Sequence, residues 1–216
     1  MKQAELTFAK RLDGVSGSAI RDIFKLLGVP GMISFAGGNP AESALEDTLI
    51  ADLGRDVMLK HGKKLLQYGA TEGWPPYRVE TARFLKEEIG IEVDQTEILP
   101  TTGSTQAIDL LLKALIDEGD VILVEGPTFL GSLQAMKLYG AKLVAVDMDE
   151  QGILLDKLEE AIQAHRPKML YLVPNFQNPT GVTMSLERRK AVVKLAEKYN
   201  FVIAEDDPYR GLRYHG

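Results

Sequence analysis

The chain contains no cysteine, which removes disulfide frameworks and thiolate metal sites from consideration. Its three histidines, His61, His165 and His215, are too scattered to offer metal-ligand spacing. There is no basic excess either. With Lys+Arg at 25 against Asp+Glu at 31, the net charge of −6 leaves no stripe to neutralise phosphates, and a nucleic-acid partner is not expected. Long apolar runs are also missing: stretches such as Val121–Val124 are far too short to span a membrane, so no membrane partner is expected. The charged opening Met1-Lys2-Gln3-Ala4-Glu5-Leu6 lacks the apolar centre of a signal peptide. We expect a soluble, cytoplasmic protein.

What is present is ordinary globular material, 216 residues of which 45% are hydrophobic and 26% charged. From about residue 97 onward, short apolar runs alternate with helical patterns. The runs are Glu97–Thr101, Val121–Val124, Lys142–Val146, Met169–Val173 and Phe201–Ala204, each bounded by Gly, Pro, Asp or Asn as buried strands are. Ile108, Leu111, Leu112 and Leu115 make one helical stripe. Leu186, Val192, Val193 and Ala196 mark another, which Ser185 can cap. Repeated βα units predict a mainly parallel sheet covered on both faces. Ahead of it, helices are expected near Ser18–Leu27, Leu45–Lys60 and Pro75–Glu88, with a short run at Met32–Phe35; Pro75 or Pro76 suits a first helical turn. The pattern stops soon after the last strand, and we expect these residues to be the N-terminal part of a longer chain.

In open parallel sheets, ligands sit beyond the carboxyl ends of the strands. The first run is followed by Gly103-Ser104-Thr105-Gln106 and a helix, where a glycine, two hydroxyls and free amides suit a phosphate. Capping by Ser104 or Thr105 explains the same residues equally well. Beyond Val124 comes Glu125-Gly126-Pro127-Thr128-Phe129, whose aromatic can lie over a planar ring or serve as a core anchor. Beyond Val173, the segment Pro174-Asn175-Phe176-Gln177-Asn178-Pro179-Thr180-Gly181 is a rigid polar loop in which Asn178 can donate to a ring oxygen. Beyond Ala204, Glu205-Asp206-Asp207-Pro208-Tyr209 puts three acids and a phenol at the end of an apolar strand. They are either solvated or met by a cation. Taken together, a phosphate cradle, a flat aromatic, an amide and an acid–phenol pair suit a planar, phosphorylated, nitrogen-containing ring, with an aspartate holding its nitrogen protonated.

These segments, with Phe35-Ala36-Gly37-Gly38-Asn39-Pro40 and Gln67-Tyr68-Gly69, resemble the class I/II, fold-type I aminotransferases that use pyridoxal 5'-phosphate (PLP). The likeness is to the 2-aminoadipate and kynurenine aminotransferases and to the aminotransferase half of MocR regulators. It implies an α/β fold of the aspartate aminotransferase-like type, three αβα layers around a mainly parallel sheet. It also divides the chain into an N-terminal segment at 1–45 and the beginning of the large cofactor domain at 46–216. By the same resemblance Gly103, Ser104 and Thr105 would bind the phosphate, and Phe129 would stack on the pyridine, where tyrosine is more usual. Asn178 and Tyr209 would bond the ring hydroxyl, and Asp206, three residues before that tyrosine, would pair with the ring nitrogen. Tyr68 would reach the phosphate of a neighbouring subunit in a homodimer, Gly38 would lie near the substrate carboxylate, and Arg21 would contact the substrate side chain or simply occupy a helix surface. The family's anchoring lysine belongs to a Ser-Phe-Ser-Lys-like segment well after Glu-Asp-Asp-Pro-Tyr, and this chain has no such segment. The implied activity is transfer of an amino group from an amino acid to a 2-oxo acid in amino-acid biosynthesis, with these residues alone expected to be inactive. Alternatives are a β-lyase or decarboxylase on the same scaffold, or a non-catalytic PLP-binding regulator.

Overall fold

A computed structural model describes residues 7–13, 31, 33, 38 and 40–215. The expected Ser18–Leu27 helix and nearly all of the Met32–Phe35 run lie outside them. The chain forms two compact units, one of Met1–Val15 with Thr101–Gly216, the other of Ser16–Pro100.

The second unit contains α1 (Asp47–Leu65) and α2 (Pro75–Phe84). α2 opens with Pro75 and Pro76 in its first turn, where a missing N–H costs nothing. It runs into a single π turn, Leu85–Ile89, which Gly90 ends in the left-handed conformation. The trailing Glu97–Thr101 is not the expected strand. Asp94 and Glu97 form a capping box around a 3-10 turn at Gln95–Glu97 instead, with Asp94 Oδ1 accepting from the Thr96 amide at 2.8 Å and Glu97 Oε2 from the Asp94 amide at 3.1 Å. Pro100, which lacks a ladder donor, then closes the segment.

The first unit is the sheet. Its strands are β1 (Val121–Gly126), β2 (Lys142–Asp149), β3 (Gly152–Ile153), β4 (Met169–Leu172) and β5 (Val202–Glu205), in the order β3-β2-β1-β4-β5. β2, β1, β4 and β5 run parallel. β3, which the sequence reading did not anticipate, turns back antiparallel on the end of β2. Arg188 holds that hairpin by pairing with Asp149 and donating to the carbonyls of Gly152 and Ile153 at 2.6 and 3.1 Å.

Alternation along the strands divides the core into two layers. Leu123, Leu170 and Leu172 face one way, against Leu158 and Ile162 of α5 (Leu155–His165) and Val192 of α6 (Leu186–Tyr199). Ile122, Val124, Met169 and Tyr171 face the other way, against Leu112 of α3 (Ser104–Leu115) and Met136 of α4 (Leu130–Leu138). Of the expected α3 stripe, Leu112 is buried and Ile108 packs beside it, whereas Leu111 and Leu115 are exposed; helices cover both faces of the sheet as a parallel sheet requires. Each fully buried Leu of these layers contributes roughly 1.5–3 kcal/mol. The Ser185 hydroxyl caps α6 by accepting from the Arg188 amide at 3.4 Å.

The chain leaves β1 outward to β2 and β3, then returns to place β4 on the other side of β1. That reversal opens a crevice at the carboxyl edge of the sheet.

Candidate active site

At this edge a cleft of about 190 Å³ is lined by Ser104, Phe129, Val173, Asn178, Asp206, Pro208 and Tyr209. The lining comes from the loops that follow β1, β4 and β5 and from the start of α3. Five residues anticipated from sequence thus share one cavity. A larger hollow, about 620 Å³, sits at the opposite edge beside Pro167 and Val202, but its Lys168 and Lys198 are already paired, with Asp120 at 2.6 Å and Glu159 at 2.8 Å.

The α3 end is open. Its N-cap is Gly103, at φ +79° and ψ 165°, and no side chain caps the helix. The capping alternative for Ser104 and Thr105 therefore fails, and the glycine-only conformation turns the chain into a helix whose first amides face outward in the absence of a cap. Of Gly103, Ser104 and Thr105, it is Ser104 that lines the cleft.

Phe129 is the N-cap of α4 and is half-buried. Gly131 sets the position of its ring: a Cβ there would stand 2.7 Å from two carbons of the Phe129 ring. On the far side of the cleft the Asn178 amide donates to the Tyr209 hydroxyl at 3.1 Å, so the two groups expected to share one ring oxygen are already neighbours. The two adjacent acids are separated in role. Asp206 lines the cleft, its amide tied to Leu172 O at 2.8 Å, whereas Asp207 turns to Asn175 Nδ2 at 2.7 Å and to Arg210.

Some residues that build this site were not singled out by the sequence reading. Glu125 is 1% exposed; its Oε2 accepts from the Val173 amide at 3.0 Å and from Gln177 Nε2 at 3.2 Å, while Oε1 has no partner. Burial raises its carboxyl from 4.5 to about 7, against the opposing pull of those two donors. Gln177 also donates to Pro127 O at 2.8 Å and accepts from the Thr180 amide at 2.9 Å. Glu125 and Gln177 thereby join the loop bearing Phe129 to the loop bearing Asn178. Tyr171, 1% exposed, reaches Asp206 from the core. A hint existed in its position, because a tyrosine in the middle of a buried strand needs a partner for its hydroxyl.

Gly38 and Tyr68 belong to the other compact unit, and both are exposed, Tyr68 almost fully. Arg21 lies outside the described residues.

The sequence profile described as "Aminotransferase class I and II" matches residues 30–216. The chain belongs to the class I and II aminotransferases. Among its relatives are the aromatic-amino-acid aminotransferase 1 of Thermococcus litoralis, 40% identical over 98% of this chain and 52% of the relative, and the 2-aminoadipate transaminase of Thermus thermophilus, 40% identical over 96% of the chain and 51% of the relative. Solved structures agree. The Pyrococcus horikoshii kynurenine aminotransferase, in complex with PMP, superposes with a TM-score of 0.88 at 38% identity, covering 97% of this chain and 53% of that one. The α-aminoadipate aminotransferase of Thermus thermophilus, complexed with N-(5'-phosphopyridoxyl)-L-leucine, gives 0.81 at 39% identity, covering 94% and 49%. This aminotransferase chain thus spans about half the length of the curated relatives it matches. Its fold is that of the PLP-dependent aminotransferases, an α/β layering around a mainly parallel sheet.

The cleft fits the family's cofactor on chemical grounds. It combines an uncapped helix end, a flat ring, an amide–phenol pair and a carboxylate, and its lining contains no lysine.

Proposed function

We propose that this chain forms the cofactor bed of a PLP-dependent aminotransferase, which moves an amino group from an amino acid to a 2-oxo acid. The observation that carries the proposal is the convergence of Ser104, Phe129, Asn178, Asp206 and Tyr209 on one cleft. Gly103, Ser104 and Thr105 would hold the phosphate with amides and hydroxyls. Phe129 would cover one face of the ring and exclude water from it. Asn178 and Tyr209 would hold the ring hydroxyl, and the Asp206 carboxylate would hold a proton on the ring nitrogen. PLP, when bound, supplies an electron sink for the substrate's α-carbon.

The same reading makes the whole protein a cytoplasmic homodimer in which Tyr68 serves the neighbouring subunit's phosphate. Gly38 would meet the substrate carboxylate and Arg21 its side chain. Residues 1–45 would be the N-terminal segment and 46–216 the beginning of the cofactor domain. In support of an intermolecular role for the second unit, α1 carries Leu49, Ile50, Leu53 and Leu59 at 50–75% exposure. Among the described residues no helix is long and apolar enough to cross a membrane.

Equilibrium titration with PLP tests the reading. Ser104→Ala and Asp206→Ala should each weaken binding about tenfold, the worth of one charge-assisted hydrogen bond. Unchanged affinity in both would sink it.

A further inference from the structure

Asp206 is not free to choose its orientation. Tyr171 stands in the middle of β4, on the face packed against Leu112 and Met136, and its hydroxyl lies 2.7 Å from Asp206 Oδ2. Ser132, one turn into α4 and 1% exposed, places its Oγ 2.9 Å from the same hydroxyl. The direction of the chain follows from the groups. A carboxylate only accepts, so Tyr171 donates its single proton to Asp206, and Ser132 donates to Tyr171. Burial, and then the neighbouring Asp206, push the Tyr171 phenol above its ordinary value, so it remains a donor at every working pH. Among the described residues, Asp206 Oδ1 accepts no hydrogen bond.

Packing alone does not account for this arrangement. A phenylalanine would fill the same apolar layer, and a buried hydroxyl is costly unless it is satisfied. Here the hydroxyl is satisfied by the one carboxylate that lines the cleft. A donor chain behind a carboxylate stabilises the ionised form, and each bond polarises the next.

We propose that Ser132 and Tyr171 are positioning residues which hold Asp206 by Oδ2 and present Oδ1 to the nitrogen of a bound pyridine ring. The inference rests on the function proposed above and deepens it, since it states how the cleft distinguishes a pyridine from a benzene ring of the same shape. Ser132→Ala removes the distal donor while leaving Tyr171 and Asp206 in place. Tyr171→Phe removes the hydroxyl that touches Asp206.

The test is a pair of equilibrium titrations of the 216-residue chain, one with PLP and one with its 1-deaza analogue, in which carbon replaces the ring nitrogen. Tyr171→Phe should lose about tenfold in PLP affinity with binding of the deaza analogue unchanged, since only PLP bonds Asp206. Ser132→Ala should shift PLP alone by a few-fold, and Ser132→Thr, which restores the hydroxyl, should recover it. If Tyr171→Phe weakens both ligands equally, or neither, the inference is overturned while the cofactor reading stands. If the unaltered chain and Asp206→Asn both bind the two ligands alike, or the chain holds neither ligand measurably, Asp206 does not read a ring nitrogen and both readings fall.

Discussion

Replacing Glu125 by glutamine should make the fold less sensitive to alkaline pH. The carboxyl is buried with one oxygen unpartnered and titrates near 7 in the folded chain against 4.5 ordinarily. Below about pH 4.5 both folded and unfolded chains carry the proton, and the group contributes no slope. Between 4.5 and 7 the folded chain keeps a proton that the unfolded chain has released, so stability falls as pH rises. Above 7 both are ionised and the loss is complete. For a folded value of about 7, linkage gives a loss of about 2.5 kcal/mol between pH 5 and pH 8. Glutamine has nearly the same shape, keeps a carbonyl oxygen for the Val173 amide and Gln177, and does not titrate. Urea unfolding at half-unit steps would measure both proteins. The midpoint of the parent should drift downward across this window relative to Glu125→Gln. Every other ionisable group is common to both proteins and cancels in the difference. Parallel curves would refute the reasoning, because they would mean that the Glu125 carboxyl ionises in the fold as easily as in the open chain.

Three other substitutions probe the geometry around the cleft. Gly103→Ala forces a side chain into φ +79°, ψ 165°, and should lower stability by roughly 1–3 kcal/mol in thermal melts while weakening PLP binding. Gly131→Ala sets a Cβ 2.7 Å from the Phe129 ring, so the ring must move off its place; PLP titration should show a several-fold loss, accompanied by altered absorbance of the bound chromophore. Ser185→Ala removes the cap of α6, whose residues do not line the cleft, and should cost about 1 kcal/mol in urea unfolding with cofactor affinity unchanged.

The strands were legible because they are short Val/Ile/Leu runs closed by Gly, Pro or Asp, and four of the five expected runs became β1, β2, β4 and β5. The failure at Glu97–Thr101 has a local cause: Asp94 and Glu97 satisfy each other's backbone more readily than a ladder could with Pro100 in it. β3 was missed because two residues carry no periodicity. Three of the four segments read from the sequence do follow strands, β1, β4 and β5, and topology alone sends such segments to one edge; the fourth reaches the cleft as the start of α3. The supporting residues were not legible. Tyr171 meets Asp206, and Glu125 meets Gln177, only across neighbouring strands and loops; no spacing along the chain records such a pair.

The reversal of strand order at β1 also bears on the kinetics of folding. β1, β2 and β3 are consecutive and pair with nearby residues, whereas β4 joins β1 only when Met169 comes back to Ile122. The cleft draws on segments at both ends of that gap, so it comes into being with the late, long-range contacts. A molecule bound there should therefore act as a latch. It should lengthen the lifetime of the folded chain by slowing unfolding, and leave the rate of refolding almost untouched.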